Sequence, residues 1–500
     1  MTKSNTPSHA KRDLRIAIIG AGASGLMALI KLRQAGHYNI VVFEKADSLG
    51  GTWRDNRYPG LCCDVPSLAY RFSFAPNPNW AYTYAPGAEI LAYLQAVADQ
   101  YGVAPFIQYG HEVIGAQFQP GQRGGQWAIE TSQGPQGRFD AVLTAAGVLH
   151  HPVYPDIDGL DDFAGICFHS SRWPENLSLG GKRVGVIGTG STATQLVTAI
   201  VSQVAHLSLF QRTAQWILPV PNPPIAEEQK AQYRAEPTLL DDAFDRINDE
   251  LCNKFAAAIV GNNSYTYATI VRNCEQHLQS KVREPDLRRK LTPNYKVGCK
   301  RLVVSDGFYD AIQQPNAALV VEAIERIEAN GIRTVDGRLH ELDVLVLATG
   351  FNTHQFFRPM AVTGENGISL EQAWAQKNEA YMSVTVPHFP NWFMIGGPNS
   401  PIGNFSWMLT AECQLGYAMK LIDLLHAKSV RQIAPTVAAT MAFNDAIMKK
   451  IPDTIWATGC RSWYIDKTGN VASWPWSYEK FRTDLSEPNL AHFEIDYGAR

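Results

Sequence analysis

The sequence predicts an α/β fold with two Rossmann-like dinucleotide-binding domains, the second of which is inserted into the first. The main observation is that an apolar strand runs into a glycine-rich turn and then a helix at two places, near residues 15 and 182. The other observation is a pair of apolar strands that end in small residues, within 141–147 and 342–350. There the chain is expected to leave the first domain and return to it.

The composition fits a large globular protein. The 500 residues are 45% hydrophobic and 18% charged, and the length corresponds to about three domains. A formal net charge of −3 gives no reason to expect nucleic acid as a partner. Residues 1–14 are expected to form a disordered tail, and no apolar run of about 18 residues occurs. We therefore expect a soluble, cytoplasmic protein that does not enter a membrane.

The eight cysteines are scattered along the chain, and only Cys62 and Cys63 are close together. No C-x-x-C pair and no zinc-ligand spacing occurs, so reduced thiols and the absence of a metal site are expected. The adjacent cysteines are also poor candidates for the redox pair of a disulfide reductase.

The first nucleotide motif begins with the strand at 15–20. It leads into Gly20, Gly22 and Gly25, followed by a helical pattern over 26–35. These glycines permit a tight turn and let the backbone approach a pyrophosphate at the helix N-terminus. The next strand ends in Glu44, an acid suited to a ribose hydroxyl pair. An ordinary tight turn would not explain all these parts together.

A glycine-rich loop with aromatic residues follows the first motif. Its glycines would let the loop lie against a flat ligand, and Trp53 and Tyr70 offer aromatic faces. Asp64 is expected to be a partly buried acid that needs a cationic partner, or else a turn or cap residue.

The second motif has Gly188 and Gly190, with Ala193 in the third glycine position. Where the first motif has Glu44, the second has Arg212, which suits a 2′-phosphate and so predicts NADP(H), unless it is only a solvated charge. Residues 225–293 are expected to form a helical insertion. After it comes the basic pair Lys300 and Arg301, either a solvated face or an anion contact.

A connector rich in aromatic residues joins the two domains. Its pattern is F-x-G-x-x-x-H-x-x-x-W-P, with fixed residues Phe163, Gly165, His169, Trp173 and Pro174. By position it is expected to be a hinge: Gly165 would allow a bend, and Phe163 and Trp173 would pack at the interface. His169 would hydrogen-bond across that interface and is a candidate catalytic residue, although direct participation is the weaker interpretation.

Together these patterns resemble the type I Baeyer–Villiger monooxygenases. The connector matches that family's fingerprint at every fixed position. A second family pattern, G-x-W-x-x-x-x-Y-P-G-x-x-x-D, is complete from Gly51 to Asp64. The resemblance covers roughly residues 15–480. One departure is Ala146 in place of the usual threonine, and another is the pair His150 and His151 in place of a small polar residue.

The resemblance implies FAD and NADPH as cofactors, and it implies a site by position. Arg301 would be the active-site arginine beside the flavin, with Asp64 as its carboxylate partner. The residues implied for FAD are Gly20, Gly22, Ser24, Gly25, Glu44, Lys45, Gly51, Thr52, Trp53, Asp64, Tyr70 and Val113. Those implied for NADP are Gly188, Thr189, Gly190, Ser191, Thr192, Gln195, Arg212, Thr213 and Lys300.

The implied reaction inserts one oxygen atom from O2 beside a ketone carbonyl, through a flavin C4a-peroxide, to give an ester or lactone, with sulfide oxidation as a possible further activity. Ser462 to Tyr464 and the Trp474–Pro475 pair are similar to the 4-hydroxyacetophenone-type, aryl-ketone-oxidising branch, a match that does not fix a substrate. Two alternatives stay open: a nitrogen- or sulfur-hydroxylating flavin monooxygenase, and a non-catalytic flavin-binding protein. The expected boundaries are 15–160 with 341–500 for the FAD domain, 161–176 for the connector and 177–340 for the NADP domain.

Overall fold

The computed structural model describes residues 13–121, 124–261, 263–403, 405–427 and 430–497. Residues 1–12 of the predicted tail lie outside this range. The strands are β1 Ile16–Ile19, β2 Ile40–Glu44, β3 Ile107–Tyr109, β4 Val113–Gln119, β5 Gln126–Thr131, β6 Gly134–Phe139, β7 Ala141–Thr144, β8 Ile166–His169, β9 Arg183–Ile187, β10 His206–Phe210, β11 Ile217–Leu218, β12 Val303–Val304, β13 Ala317–Val320, β14 Ile324–Glu328, β15 Gly331–Thr334, β16 Leu339–Glu341, β17 Val344–Leu347, β18 Ala361–Thr363, β19 Trp392–Met394, β20 Val430–Pro435 and β21 Phe493–Tyr497.

The helices include a short π-helical turn, Glu250–Ala256, between α6 and α7. They are α1 Ala23–Gln34, α2 Thr52–Asp55, α3 Gly87–Gln100, α4 Ser191–Ile200, α5 Glu227–Ala235, α6 Pro237–Asp249, α7 Ala257–Ile259, α8 Ser264–Lys281, α9 Pro285–Leu291, α10 Phe308–Ile312, α11 Leu370–Ala373, α12 Trp407–His426, α13 Val437–Lys450 and α14 Tyr478–Asp484.

The first domain is built on a parallel sheet in the order β19-β7-β1-β2-β3. Both faces of this sheet are covered, which is why β1 is apolar throughout. Ile16 and Ile18 face the core formed with α1 and α12, while Ala17 and Ile19 face the core formed with the β18-β4-β5-β6 sheet. The carboxyl ends of β1 and β2 therefore lie side by side, where the glycine turn and Glu44 meet.

The second domain repeats this construction with a parallel sheet in the order β13-β10-β9-β17-β8. In β17, Val344 and Val346 belong to the core on one face, and Leu345 and Leu347 to the core on the other. All five strands lie between β7 and β19 of the first sheet in the sequence. The predicted α/β class, with one dinucleotide-binding domain inserted into the other, is confirmed, and helices α5–α9 supply the expected insertion.

Two boundaries of the predicted domains are wrong. The small residues that end β17 predict that this strand belongs to the first domain, but it lies between β9 and β8 of the second sheet. Within the connector, β8 is the edge strand of that same sheet, paired in parallel with β17. The second domain therefore takes in Ile166–His169 and Val344–Leu347, and the chain crosses back only after Leu347.

The packing predicted for the connector is wrong for Phe163 and Gly165. Phe163 is buried in the second domain's core, and Trp173 packs edge-on against Phe168 in the same domain, with ring centroids 5.0 Å apart. Gly165 serves close packing rather than a bend, because a Cβ there would lie 2.6 Å from the Asp343 carbonyl oxygen. Phe163 and Gly165 thus fasten β8 to the second domain, whereas the cluster against which Trp173 packs also contains Tyr58 of the first domain.

The expectation of reduced thiols is wrong for one pair. Cys299 and Cys460 form a disulfide between positions 161 residues apart, with their Cα atoms 6.1 Å apart. Such a separation gives no local spacing signal, which is why the sequence did not reveal it. Within the described residues, no helix has the length and hydropathy needed to cross a bilayer.

Candidate active site

A cavity of about 700 Å³ runs between the two domains. It is bounded by the glycine turn of the first domain, the N-terminus of α4 and the loop before α12. Volumes of this size are typical of small-molecule and cofactor sites. Most of the residues predicted for the first cofactor line it, namely Gly20, Gly22, Ser24, Glu44, Lys45, Gly51, Thr52, Trp53, Asp64, Tyr70 and Val113.

The turn after β1 holds the backbone close to its neighbours. Gly20 has φ +105°, and a Cβ there would lie 2.7 Å from the Ala145 carbonyl oxygen at the end of β7. A Cβ at Gly25 would lie 1.8 Å from the Gly20 carbonyl oxygen, so Gly25 supports the turn from behind and does not line the cavity. No side chain caps α1, whose first N–H groups therefore face the cavity as anion donors.

Glu44 is buried and held in place at the end of β2. Its Oε2 accepts from the Ala21 N–H at 2.8 Å, and its Oε1 accepts from the Ala46 N–H at 3.0 Å. Arg54 adds a third donor to Oε1, at 3.2 Å. Because several donors satisfy this buried carboxylate, it is fixed in position to accept from ligand hydroxyl groups.

Asp64 and Arg301 form an ion pair on the cavity wall. Arg301 Nε and Nη2 both donate to Asp64 Oδ2, at 3.0 and 2.5 Å. The Arg301 side chain is 31% exposed, so it can contact a ligand while the pair is fixed. Burial lowers the pKa of the Arg301 guanidinium, but the neighbouring Asp64 carboxylate raises it further, so the net pKa lies above the ordinary value. This arginine carries its charge at every working pH.

Aromatic side chains surround this ion pair. Trp53 Nε1 donates to Tyr70 Oη at 3.3 Å, and their rings meet edge to face. Burial raises the pKa of Tyr70 above its ordinary value, so its phenol stays neutral. Trp463 and Phe405 also line the cavity. The space beside the cation is thus largely apolar.

The second glycine turn mirrors the first. Gly188 has φ +122°, and a Cβ there would lie 2.2 Å from the Ala348 carbonyl oxygen, after β17. At Gly190, by contrast, a Cβ would meet no protein atom within 4 Å. Gly190, Ser191 and Thr192 line the cavity, and α4 has no side-chain cap. Its N-terminus therefore offers a second anion site, open to a ligand.

Gln195 and Thr189 are also predicted site residues; Gln195 lines the cavity and Thr189 does not, and both brace neighbouring segments. Gln195 accepts from Tyr58 Oη at 2.8 Å and donates to the Cys62 carbonyl at 3.0 Å, which ties α4 to the first domain. Thr189 Oγ1 donates to the Thr213 carbonyl at 2.8 Å, which fixes the segment after β10.

Arg212 and Lys300 lie outside the cavity wall but close enough to each other to interact. Burial, and then the charge of Arg212, lower the pKa of Lys300. The Lys300 ammonium lies over the Tyr295 ring, with Nζ 4.8 Å from the centroid. Two neighbouring cations at the end of β10 repel each other, and an anion between them would relieve that repulsion.

His169 is buried and lies apart from the cavity wall. Its Nδ1 accepts from the Ser171 N–H at 3.2 Å, so its Nε2 donates to the Gly350 carbonyl at 3.0 Å. Burial is the main reason that its pKa is lowered, so the ring is neutral. The predicted bond across the connection exists, and it joins β8 to the segment where the chain returns to the first domain.

The sequence reasoning did not single out Gly403 and Trp407, both of which line the cavity. Trp407 Nε1 donates to Ser24 Oγ at 2.9 Å, which fastens the start of α12 to the start of α1. The sequence signal for them is the run Asn399–Gly403, rich in turn-forming residues, which directly precedes the region of the long apolar helix α12. In the described part of the chain, no group of three or more His, Cys, Asp or Glu residues is placed to hold a metal ion.

Comparison with known proteins identifies the family. The profile of the flavin-binding monooxygenase-like family matches residues 13–371. A Baeyer-Villiger monooxygenase of Streptomyces coelicolor is 36% identical over 96% of this chain and 92% of its own length. The chain belongs to the Baeyer–Villiger-type flavin monooxygenases. An uncharacterized monooxygenase of Mycobacterium tuberculosis is 43% identical, with 96% of each chain covered.

Solved structures agree with this assignment to the Baeyer–Villiger-type flavin monooxygenases. Cyclohexanone monooxygenase from Rhodococcus sp. Phi1, bound to NADP+, matches with a TM-score of 0.85 and 30% identity, covering 97% of this chain and 99% of that chain. A complex of OTEMO with FAD and NADP matches with a TM-score of 0.86 and 25% identity, covering 97% of this chain and 100% of that one.

A Baeyer–Villiger-type monooxygenase is an enzyme that uses FAD and NADPH, and the cavity described above fits both cofactors. It contains two uncapped helix N-termini, which suit phosphate groups, and an anchored acid at Glu44. The open space at Gly190 is a further fit, because nothing in the protein fills it.

Proposed function

We propose that this enzyme inserts one oxygen atom beside the carbonyl group of an apolar ketone and releases an ester or lactone. The observation that carries the proposal is the Arg301–Asp64 pair, a fixed cation on the wall of a cavity that both glycine turns share. When bound, FAD reduced by NADPH would activate O2, of which one atom goes to the substrate and the other leaves as water.

Arg301 supplies a permanent positive charge where negative charge develops during oxygen transfer. Its partner Asp64 fixes the orientation of the guanidinium through two hydrogen bonds, so no reorganisation is needed during the reaction. With cofactors and substrate filling the cavity, the aromatic wall would limit water around this charge, which strengthens its effect. Trp463 and Phe405 would hold the apolar part of the substrate beside it.

The remaining predicted residues bind the cofactors in this proposal. Glu44 would accept from the ribose hydroxyls of FAD, and the N–H groups at the start of α1 would bind its pyrophosphate. The start of α4 would bind the pyrophosphate of NADPH, and Arg212 with Lys300 would bind its 2′-phosphate. His169 is a positioning residue here, because it does not line the cavity itself but holds β8 to Gly350, a cavity-lining residue of the returning chain.

The direct test is a panel of aryl, cyclic and aliphatic ketones with matched sulfides and amines, supplied with NADPH and O2. Products are identified by mass spectrometry with ¹⁸O-labelled O2. The proposal expects one label in an ester or lactone. Oxygenated amines or sulfides without any ester would instead favour a nitrogen- or sulfur-oxidising monooxygenase. Bound FAD with no NADPH oxidation stimulated by any substrate would mean a non-catalytic flavin protein.

Replacing Arg301 by alanine tests the assigned role of the cation. Since the guanidinium acts on the oxygen-transfer step, ester formation should fall roughly 10²–10³-fold. Anaerobic reduction of the flavin by NADPH, followed by its absorbance in a stopped-flow instrument, should persist. Asp64→Asn is the companion variant, because it keeps the shape of the side chain but weakens the orientation of Arg301. Normal ester formation in Arg301→Ala would rule out the assignment.

Replacing Arg212 by alanine tests the 2′-phosphate site. Loss of a charge-assisted contact should weaken NADPH roughly ten- to hundredfold, while NADH, which lacks the phosphate, should change little. The measurement is the apparent dissociation constant of each nucleotide in flavin-reduction kinetics. Arg183→Ala is a suitable control. Arg183 begins β9, at the end of the strand opposite to the Gly188 turn, and its side chain forms ion pairs with Glu341 and Asp343. Equal losses for both nucleotides in Arg212→Ala would remove the phosphate argument.

A further inference from the structure

We propose that the Cys299–Cys460 disulfide is a positioning link that holds Trp463 and Tyr464 against Arg301, and that its reduction uncouples NADPH oxidation from oxygen transfer. The claim about uncoupling rests on the function proposed above. The claim about positioning concerns only how the disulfide holds the chain.

The disulfide joins two segments that both lead directly to the active site. Cys299 is two residues before Arg301, and Cys460 is three residues before Trp463. Both cysteines are buried, at 0% and 8% exposure. The link therefore fixes the start of both segments within a few residues of the place where they meet.

The two segments meet around Gly403. A Cβ built at Gly403 would lie 2.6 Å from Tyr464 Oη, 2.7 Å from Arg301 Nη1 and 3.4 Å from the Trp463 ring. Tyr464 is buried, and the charge of Arg301 acts on its phenol. Arg301 is thus held by Asp64 on one side and faces the Trp463–Tyr464 segment on the other.

Little regular structure supports these segments. Residues 459–477 contain no helix and only one isolated β-bridge, between Ile465 and Val471. The Trp463 carbonyl interacts with His354 Nε2 at 2.9 Å, and Tyr464 packs on the Trp456 ring. Segments with few backbone hydrogen bonds open at low free-energy cost, so a covalent link changes their mobility strongly. A disulfide that only stabilised the fold as a whole would not need to lie beside the active-site arginine.

The reductive step is a thiol–disulfide exchange with a dithiol reductant. A thiolate of the dithiol attacks one sulfur of the pair, and its second thiol then resolves the mixed disulfide. Two electrons and two protons pass to Cys299 and Cys460, which become thiols, and the dithiol becomes a cyclic disulfide. The Trp463–Tyr464 segment is then attached only by non-covalent contacts.

The first experiment tests, without any catalysis, whether the disulfide forms and whether it restrains the Trp463–Tyr464 segment. The FAD-loaded full-length enzyme, prepared without reductant, is digested and mapped by mass spectrometry, and a Cys299–Cys460 cross-linked peptide is expected. Dithiothreitol should then speed hydrogen–deuterium exchange of residues 459–477 by about tenfold or more, with much smaller changes in β1 and α1. Unlinked cysteines, or unchanged exchange after reduction, would overturn the proposal.

The second experiment reads the consequence for catalysis. In Cys299→Ser/Cys460→Ser, and in the reduced wild type, flavin reduction by NADPH should keep its rate, while the fraction of NADPH that ends as hydrogen peroxide should rise at least about threefold. Dithiothreitol should have no further effect on the double variant. Cys167→Ser, which removes an exposed free thiol, should behave as wild type.

The outcomes separate the two proposals. If the double variant does not fold, reduction of the wild type gives the same comparison. An unchanged peroxide fraction in a reduced enzyme that still forms ester would overturn the link's role in coupling. If no substrate yields an ester at all, the proposed function fails, while the exchange experiment still decides whether the disulfide holds the segment.

Discussion

At the scale of single residues, Gly403 shows how closely the cation is enclosed. It has φ +88°, a conformation that residues with a Cβ rarely adopt, and a Cβ there would lie 2.7 Å from Arg301 Nη1 and 2.6 Å from Tyr464 Oη. Gly403→Ala should therefore displace the guanidinium, and product formation should fall by roughly tenfold or more. The measurement is ester formed per NADPH consumed, beside flavin reduction, which should change less.

Gly416 provides the matched control for that substitution. It lies exposed within α12, and a Cβ there would meet no atom within 4 Å. Gly416→Ala should leave product formation unchanged and raise the free energy of unfolding by up to about 1 kcal/mol, because alanine is the better helix former. If both alanine variants lose activity alike, the crowding at Gly403 is not the cause.

At the scale of the strand–turn–helix element, Gly188 and Gly190 have separable roles. Gly188→Ala should strain the turn against the Ala348 carbonyl and lower the free energy of unfolding by roughly 1–3 kcal/mol. Gly190→Ala should change stability by less than about 0.5 kcal/mol, since its Cβ meets no protein atom. It should nevertheless weaken NADPH clearly, because the new methyl group occupies the space left for the nucleotide. Denaturant unfolding and nucleotide titration measure the two effects, and a stable Gly190→Ala with normal NADPH binding would contradict this division.

The same elements show what sequence could and could not predict. Each nucleotide-binding motif is contiguous in the sequence: a strand, a glycine turn and a helix, followed by an acid in the first motif and an arginine in the second. Both motifs, and the roles of Gly20 and Gly188, can therefore be predicted from the local pattern. The sheet to which a strand belongs depends on pairing between distant residues. β17 has the same small-residue ending as β7, and only its hydrogen-bonded neighbours place it in the second sheet. β8 is only half buried, so its pattern predicted a connector.

At the scale of the whole molecule, the active site is assembled from segments far apart in the chain. Only the family resemblance predicts the pairing of Asp64 with Arg301, since no local spacing relates them, and nothing in the sequence predicts that Trp463 lies beside them. Gly403 and the Cys299–Cys460 bond had no such guide. Proximity across 161 residues is a property of the folded chain alone.

The two connections between the domains also predict how stability depends on pH. His150 Nε2 contacts the Phe356 carbonyl at 2.8 Å, and the His151 ring lies 3.9 Å away, so the pair joins the outgoing connection to the returning one. Burial, followed by the charges of His151 and Lys45, lowers the pKa of His150 from 6.5 to about 4, while the hydrogen bond to the Phe356 carbonyl and then the charge of Asp55 oppose the shift.

Between about pH 6.5 and about pH 4, the His150 imidazole is therefore protonated in the unfolded chain but stays neutral in the folded enzyme. The free energy of unfolding should fall as the pH is lowered from about 6.5 to about 4, and the contribution should be constant above that window. His150→Gln keeps a donor for the Phe356 carbonyl but cannot titrate, so its stability should fall less steeply with acid. Urea unfolding of both proteins at a series of pH values measures the two slopes. Equal slopes would mean that His150 is protonated as readily in the folded enzyme as in the unfolded chain.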